Sequence, residues 1–241
     1  MSEQENGNKR PALYLCAPVN ALVEGIYNES IPFAEVKKHG DFGLGTFDHL
    51  DGEMIMLDGL IYQITADGHV ALVPESSLTP FACVTFFRSH SEDTINTAQT
   101  WAEFTHWFNE LLPSRNIFYA LRIDGVFSHM KVRSVPKQES YRPLVEVARD
   151  QPVFEFNEIE GTLAGFFTPS FMSSISVPGL HLHFLSKDLQ HGGHLLEFAP
   201  RFAKVNLQFI NQLTLGLPMT LDYLTWDFRR EISREIKKVE R

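Results

Sequence analysis

Residues 178–198 read PGLHLHFLSKDLQHGGHLLEF and hold four of the chain's ten histidines. Alternate side chains of an extended strand share a face, so His181 and His183 point one way and Leu182 and Phe184 the other. The link SKDLQHGG is rich in turn formers and cannot continue as a helix. Beyond it, His194-Leu-Leu-Glu-Phe resumes strand composition. Two antiparallel strands joined by that link bring His194 opposite the pair, so that three neutral imidazoles converge from one sheet face. Such a set suits Zn²⁺ or another divalent first-row ion and leaves one position open, the pattern of a catalytic site. His191, inside the link, reads as a solvated turn residue. An ion held by three neutral ligands keeps its double charge and can stabilise an enolate or enediolate. That chemistry also needs an anion clamp and a proton donor. Arg133 ends a strand in KVRSVPKQ, and a guanidinium grips a carboxylate through two parallel hydrogen bonds. Glu53 follows the Asp51-Gly52 turn, where its carboxylate can face a cleft. Taken alone, each also reads as a solvated surface charge.

The elements that must position these groups follow from periodicity and turn residues. Helical spacing is expected over 18–29 and 31–38. The stretch from Gly40 to Glu75 reads as short strands parted by turns at Asp51-Gly52, Asp58-Gly59 and Asp67-Gly68, and Asp124-Gly125 is a further turn signal. FACVTFF, residues 81–87, is an apolar run expected to be a buried strand. Residues 97–112 place Trp101, Phe104, Trp107, Phe108 and Leu111 on one helical face, and Pro113 stops that helix. Strands are expected over 116–123 and 126–134, then an irregular stretch from Pro136 to Asp150. Further strands are expected over 153–157, 160–167, 180–185, 194–198 and 202–216, followed by a charged tail with a last helix in 228–241. This pattern favours an α+β fold with mixed and antiparallel sheets and few helices, divided into a disordered lead (1–11), an N-terminal domain (12–145) and a β-rich C-terminal domain (146–241).

With 241 residues and 44% hydrophobic content, the chain can bury a large core. A formal charge of −9 and the lack of a basic stripe argue against nucleic acid. An acidic protein also repels small anions at long range, so an anionic substrate requires a local cation. Cys16 and Cys83 form no CxxC pair and read as buried thiols. The N-terminus lacks the apolar core of a secretory signal, and no run of about 18 apolar residues exists. A cytoplasmic protein is expected.

Five stretches resemble the α-acetolactate decarboxylase family: GDFGLGTFDHLDGEM (40–54), PESSLTPFA (74–82), KVRSVPKQ (131–138), FEFNEIEGTLAGFFTPSF (154–171) and PGLHLHF with GGH (178–184 and 192–194). The resemblance runs from about Val19 to the C-terminus. It implies a dimer of two-domain subunits with a zinc ion between the domains. The family's zinc ligands match His181, His183 and His194, at spacing i, i+2, i+13. Its active-site arginine matches Arg133, its DGEM glutamate Glu53 and a pocket threonine Thr46. A second glutamate, from a tail that returns to the site, matches Glu240, with Glu235 as the alternative. The implied reaction is decarboxylation of (S)-2-hydroxy-2-methyl-3-oxobutanoate, 2-acetolactate, to (R)-acetoin through a zinc-stabilised enediolate. In it Arg133 orients the carboxylate, and Glu53, the tail glutamate or Arg133 itself delivers the proton. No organic cofactor is implied.

Two other readings of the histidines stay open at this point. A cupin-like dioxygenase would recruit Asp188 to an HxH metal site. A non-catalytic zinc-stabilised module would close the site with His191 or Glu197 as a fourth ligand.

Overall fold

The computed structural model describes residues 12–27, 31–140 and 142–229. Its elements in chain order begin β1 (Ala12–Leu15), α1 (Val19–Val23), β2 (Ile31–Pro32), α2 (Phe33–Val36), β3 (Phe42–Thr46), β4 (Glu53–Leu57), β5 (Leu60–Ile64), β6 (Val70–Leu72), β7 (Leu78–Thr79) and β8 (Ala82–Thr85). They continue with β9 (Ser91–Ile95), α3 (Trp101–Leu111), β10 (Phe118–Arg133), α4 (Leu144–Val147), β11 (Val153–Thr168), β12 (Gly179–Ser186), β13 (Gly192–Ile210), β14 (Gln212–Leu215) and α5 (Leu221–Thr225). The expected α+β class with few, short helices holds.

Two sheets carry the fold. The first has seven strands in the order β14-β1-β8-β3-β4-β5-β6, antiparallel except where β1 pairs with β14. The second runs β10-β11-β12-β13-β9, and a further β10–β13 pairing curls it back on itself. Strand alternation sorts the side chains into layers. Leu44, Ile55 and Ile64 of the first sheet meet Ala164, Phe166 and Leu185 of the second in one buried core. The outer face of the second sheet packs under α3 through Phe104, Phe108, Phe184 and Phe198. The outer face of the first packs under α2 through Phe33, Val36 and Met56. The sheets interleave along the chain: β9 and β10 precede residue 145 yet join the second sheet, and β14 returns to the first. Among the described residues, no helix is long and apolar enough to cross a membrane.

Several expected elements form for the expected reasons. The Asp58-Gly59 turn joins β4 to β5, and the expected 81–87 strand forms over β8, whose four residues are buried, but stops before the exposed Phe86. Helix α3 starts at Thr100, whose side chain accepts from the Glu103 N–H while the Glu103 carboxylate accepts from the Thr100 N–H. This reciprocal cap sets the true start inside the expected 97–112 span.

Others differ. Residues 118–133 form one strand with no turn at Asp124-Gly125. A Cβ on Gly125 would lie 2.5 Å from the Phe202 carbonyl oxygen, so this glycine permits the close approach of β10 and β13. Asp124 spends its carboxylate on Arg122 and Thr162 and not on a turn. β11 likewise runs unbroken across 153–168, with Glu158 at positive φ in the middle. β13 runs through Pro200, which lies among irregularities of the β10 register, where a missing N–H is tolerated. It ends at Ile210, so the expected 202–216 strand divides between the two sheets. Helix 18–29 shrinks to five residues, and 31–38 becomes a short strand and one helical turn that begins after Pro32, the two segments serving different cores. The stretch 136–150 is not wholly irregular. Pro143 opens α4, and a 3₁₀ turn follows over Ala148–Asp150.

Candidate active site

β12 and β13 pair at His183 and His194. On β12, His181, His183 and Leu185 face the first sheet, while Leu182 and Phe184 enter the core under α3. Gly193 has φ of 144°, and a Cβ there would lie 2.6 Å from the Arg133 carbonyl oxygen. Glycine therefore lets β13 close onto the end of β10, setting Arg133 directly across from His194.

The three imidazoles converge. Each offers a nitrogen within 4.8 Å of the others', forming a group that can hold a metal ion. His183 and His194 are buried, and His181 is partly exposed to the cavity. The His183 Nδ1 lies 2.7 Å from the Met54 carbonyl oxygen on β4. A carbonyl only accepts, so Nδ1 carries the proton and Nε2 turns its lone pair into the site. Two more groups crowd that lone pair: a Glu53 carboxylate oxygen at 3.4 Å and His194 Nδ1 at 3.3 Å. Acceptors gathered this closely favour a shared cation, so the donor set fits a divalent ion.

Burial, then the neighbouring Arg133 charge, pulls His181 down to about 3. Burial also holds His183 and His194 well below the ordinary histidine range, with the His181 and Arg133 charges adding to it. All three stay neutral at pH 7, as metal ligands must. The sign of the pH effect on metal-free protein follows. Unfolded histidines gain protons below about pH 6.5 and the folded ones do not, so stability is complete above that pH and falls as pH drops toward about 3. His181 alone is expected to contribute about 2 kcal/mol of loss between pH 6.5 and 5. Urea midpoints of chelator-treated protein at the two pH values, for wild type and His181→Asn, measure this, and the variant should show a shallower decline.

Glu53 opens β4 and is 5% exposed, with its carboxylate in the cavity. Thr46 is its register partner on β3. The Thr46 hydroxyl donates to the Gly52 carbonyl at 2.7 Å, and its own carbonyl accepts from Thr79 Oγ1 at 2.7 Å. Together these fix the backbone that presents Glu53. Arg133 is also buried, lines the cavity, and donates through Nη1 to Gln151. The remaining walls are apolar: Val19 and Leu22 of α1, Phe81, Val135, Leu144 of α4, and Val177. Tyr27 ties that roof down, accepting from the Arg142 N–H at 3.0 Å.

The structure thus brings together His181, His183, His194, Glu53, Arg133 and Thr46. Glu240 and Glu235 lie outside the described residues. Asp188 does not join the site. It is exposed and caps its own turn, accepting from Ser186 Oγ and the Gln190 N–H, as expected of a turn residue and unlike a cupin ligand. His191 packs at a tilt against Phe156, and Glu197 is exposed, lining a groove between α3 and the second sheet's outer face. Neither belongs to the metal-competent group. Sequence reasoning missed Gln151 and the Leu22, Leu144 and Val177 wall. Only Pro143 before Leu-Val-Glu-Val signalled that a helix turn would deliver Leu144.

Fold and site define an α+β enzyme whose largely buried three-histidine group can hold a metal ion beside one cation and one carboxylate. Residues 13–230 match the alpha-acetolactate decarboxylase family, and the chain belongs to it. It is 40% identical to the alpha-acetolactate decarboxylase of Methylococcus capsulatus over 97% of this chain and 90% of that protein. The crystal structure of alpha-acetolactate decarboxylase from Bacillus subtilis strain 168 superposes with a TM-score of 0.92 at 35% identity, over 95% of this chain and 99% of that one. A Staphylococcus aureus protein of unknown function, similar to alpha-acetolactate decarboxylase, superposes at 0.91 with 27% identity, over 95% of this chain and 100% of that one.

Proposed function

We propose that this enzyme decarboxylates (S)-2-acetolactate to (R)-acetoin in the cavity between the sheets, with Zn²⁺ held by His181, His183 and His194. The observation that carries the reading is the group of three neutral imidazoles sharing one cavity with Glu53 and Arg133, in a chain of this family. When bound, the ion supplies a fixed positive charge that draws the electron pair released with CO₂ toward the ketone oxygen.

The chain's own residues do the rest. The Arg133 guanidinium binds the substrate carboxylate and sets the bond to be broken against the ketone plane. Its part is orientation, because the carboxylate leaves as neutral CO₂. The apolar wall of Leu22, Leu144, Val135 and Val177 takes the two methyl groups and excludes water. Thr46 accepts from the substrate's hydroxyl. The pair from the broken C–C bond forms the enediolate, and one proton must then reach the carbon that lost CO₂. Glu53 delivers it from one face, giving one enantiomer. Glu240 is the proposed second carboxylate. The reading also carries a homodimer in the cytoplasm; light scattering during gel filtration tests the first part.

The decisive experiment is acetoin release from racemic 2-acetolactate, with and without a chelator. Release of (R)-acetoin that stops on chelation and returns with Zn²⁺ is expected. A folded, zinc-loaded sample that releases none would refute the proposal.

A further inference from the structure

Gln151 sits between the 3₁₀ turn over Ala148–Asp150 and the start of β11. Two residues on, Val153 lies opposite Arg133 in the β10–β11 register. The Gln151 Oε1 accepts from Arg133 Nη1. A guanidinium has only donors, so the amide must turn its oxygen to Arg133 and its NH₂ away. That NH₂ nitrogen is buried and has no hydrogen-bond partner among the described residues. A structural amide is ordinarily placed so that both ends are satisfied. This one leaves its donor bare in order to hold the arginine, a local conflict of the kind found at functional sites.

The neutrality of the partner matters as well. Asp150 is the adjacent residue, and a carboxylate in Gln151's place would add negative charge beside the guanidinium that meets an anionic substrate. Asp150 is held elsewhere, by Arg142 Nη2 at 2.8 Å. Arg142 is in turn tied back through its N–H to Tyr27, on the chain that leaves α1. An amide thus faces Arg133 where the neighbouring sequence offered an acid.

We infer that Gln151 is a positioning residue for Arg133: its amide holds the guanidinium in the orientation that receives the substrate's carboxylate, and as a neutral acceptor it adds no negative charge of its own. This inference rests on the function proposed above.

The test is steady-state kinetics on the zinc-loaded full chain for wild type, Gln151→Leu and Gln151→Glu, with acetoin as a product inhibitor. Acetoin has the substrate's skeleton without the carboxylate, so it reports the rest of the site. Gln151→Leu keeps the size of the side chain and removes the acceptor. It is expected to raise KM for 2-acetolactate about tenfold, while acetoin inhibition and zinc content stay within about twofold. Gln151→Glu keeps an acceptor but adds a negative charge beside Arg133, so its KM should rise further. If Gln151→Leu does not fold, Gln151→Glu is judged by the same two readouts. A wild-type KM in the variants, or an equal weakening of acetoin inhibition, overturns the inference. An inactive wild type removes the proposed function and this inference together; an active wild type indifferent to Gln151 removes this inference alone.

Discussion

His183→Ala is expected to lower acetoin formation by about 10³-fold or more while the far-ultraviolet circular dichroism stays near wild type. The size follows from loss of a proposed metal ligand: withdrawing the ion's positive charge from the reacting oxygens would forfeit about 4 kcal/mol or more of barrier reduction. The structural cost is smaller. His183 is 1% exposed and bonds the Met54 carbonyl, so its removal opens a small void and leaves one buried acceptor without its donor, about 1–3 kcal/mol for the latter. Zinc content by atomic absorption should fall in parallel with activity. Global unfolding of the variant would instead mean that the ion serves mainly to hold the fold. The fold argues against that outcome, because the core between the sheets is built from apolar side chains such as Leu44, Ile55 and Phe166.

Glu53→Gln is expected to reduce kcat by about 10²- to 10⁴-fold with a much smaller change in KM. The substitution keeps the shape of the side chain and removes its capacity to take up and deliver a proton. Because the proposed role comes after CO₂ has left, substrate binding should survive. Chiral analysis of the residual product supplies a second readout. With protonation left to solvent, the acetoin should lose enantiomeric purity. A variant with wild-type kcat and pure (R)-acetoin would move the donor role to another group. Glu53 also lies 3.4 Å from His183 Nε2, so zinc content must be measured alongside, to separate a lost proton donor from a weakened metal site.

The metal-competent group was legible because its geometry is local. A two-residue spacing on one strand and a glycine-rich return specify a sheet face without knowledge of anything else, and His181, His183 and His194 converge accordingly. Arg133 and Glu53 were legible through family resemblance. Their residue types alone were equally consistent with surface charges, since burial is decided by strands far away in sequence. The breaks wrongly expected at Asp124-Gly125 and near Glu158 share a cause. Turn residues report what the backbone can do, and long-range pairing decided otherwise: Gly125 is used for contact with Phe202 and Ala203. The crossing of β14 to the first sheet left no local mark, because one residue, Asn211, separates it from β13. Gln151 was silent for a similar reason, as a glutamine in a polar stretch gains meaning only when an arginine 18 positions earlier is brought beside it.

The bond from His183 to the Met54 carbonyl joins residues 129 positions apart, and this has a consequence in time. During synthesis, the wall bearing Thr46 and Glu53 leaves the ribosome long before any of the three histidines. β14, which pairs with the free edge of β1, comes later still. The newborn first sheet must therefore wait with its inner apolar face open to water, in need of shelter by chaperones or neighbouring chain. Only after β12 and β13 emerge can the three imidazoles converge, so the metal-competent group is completed late in the birth of this molecule.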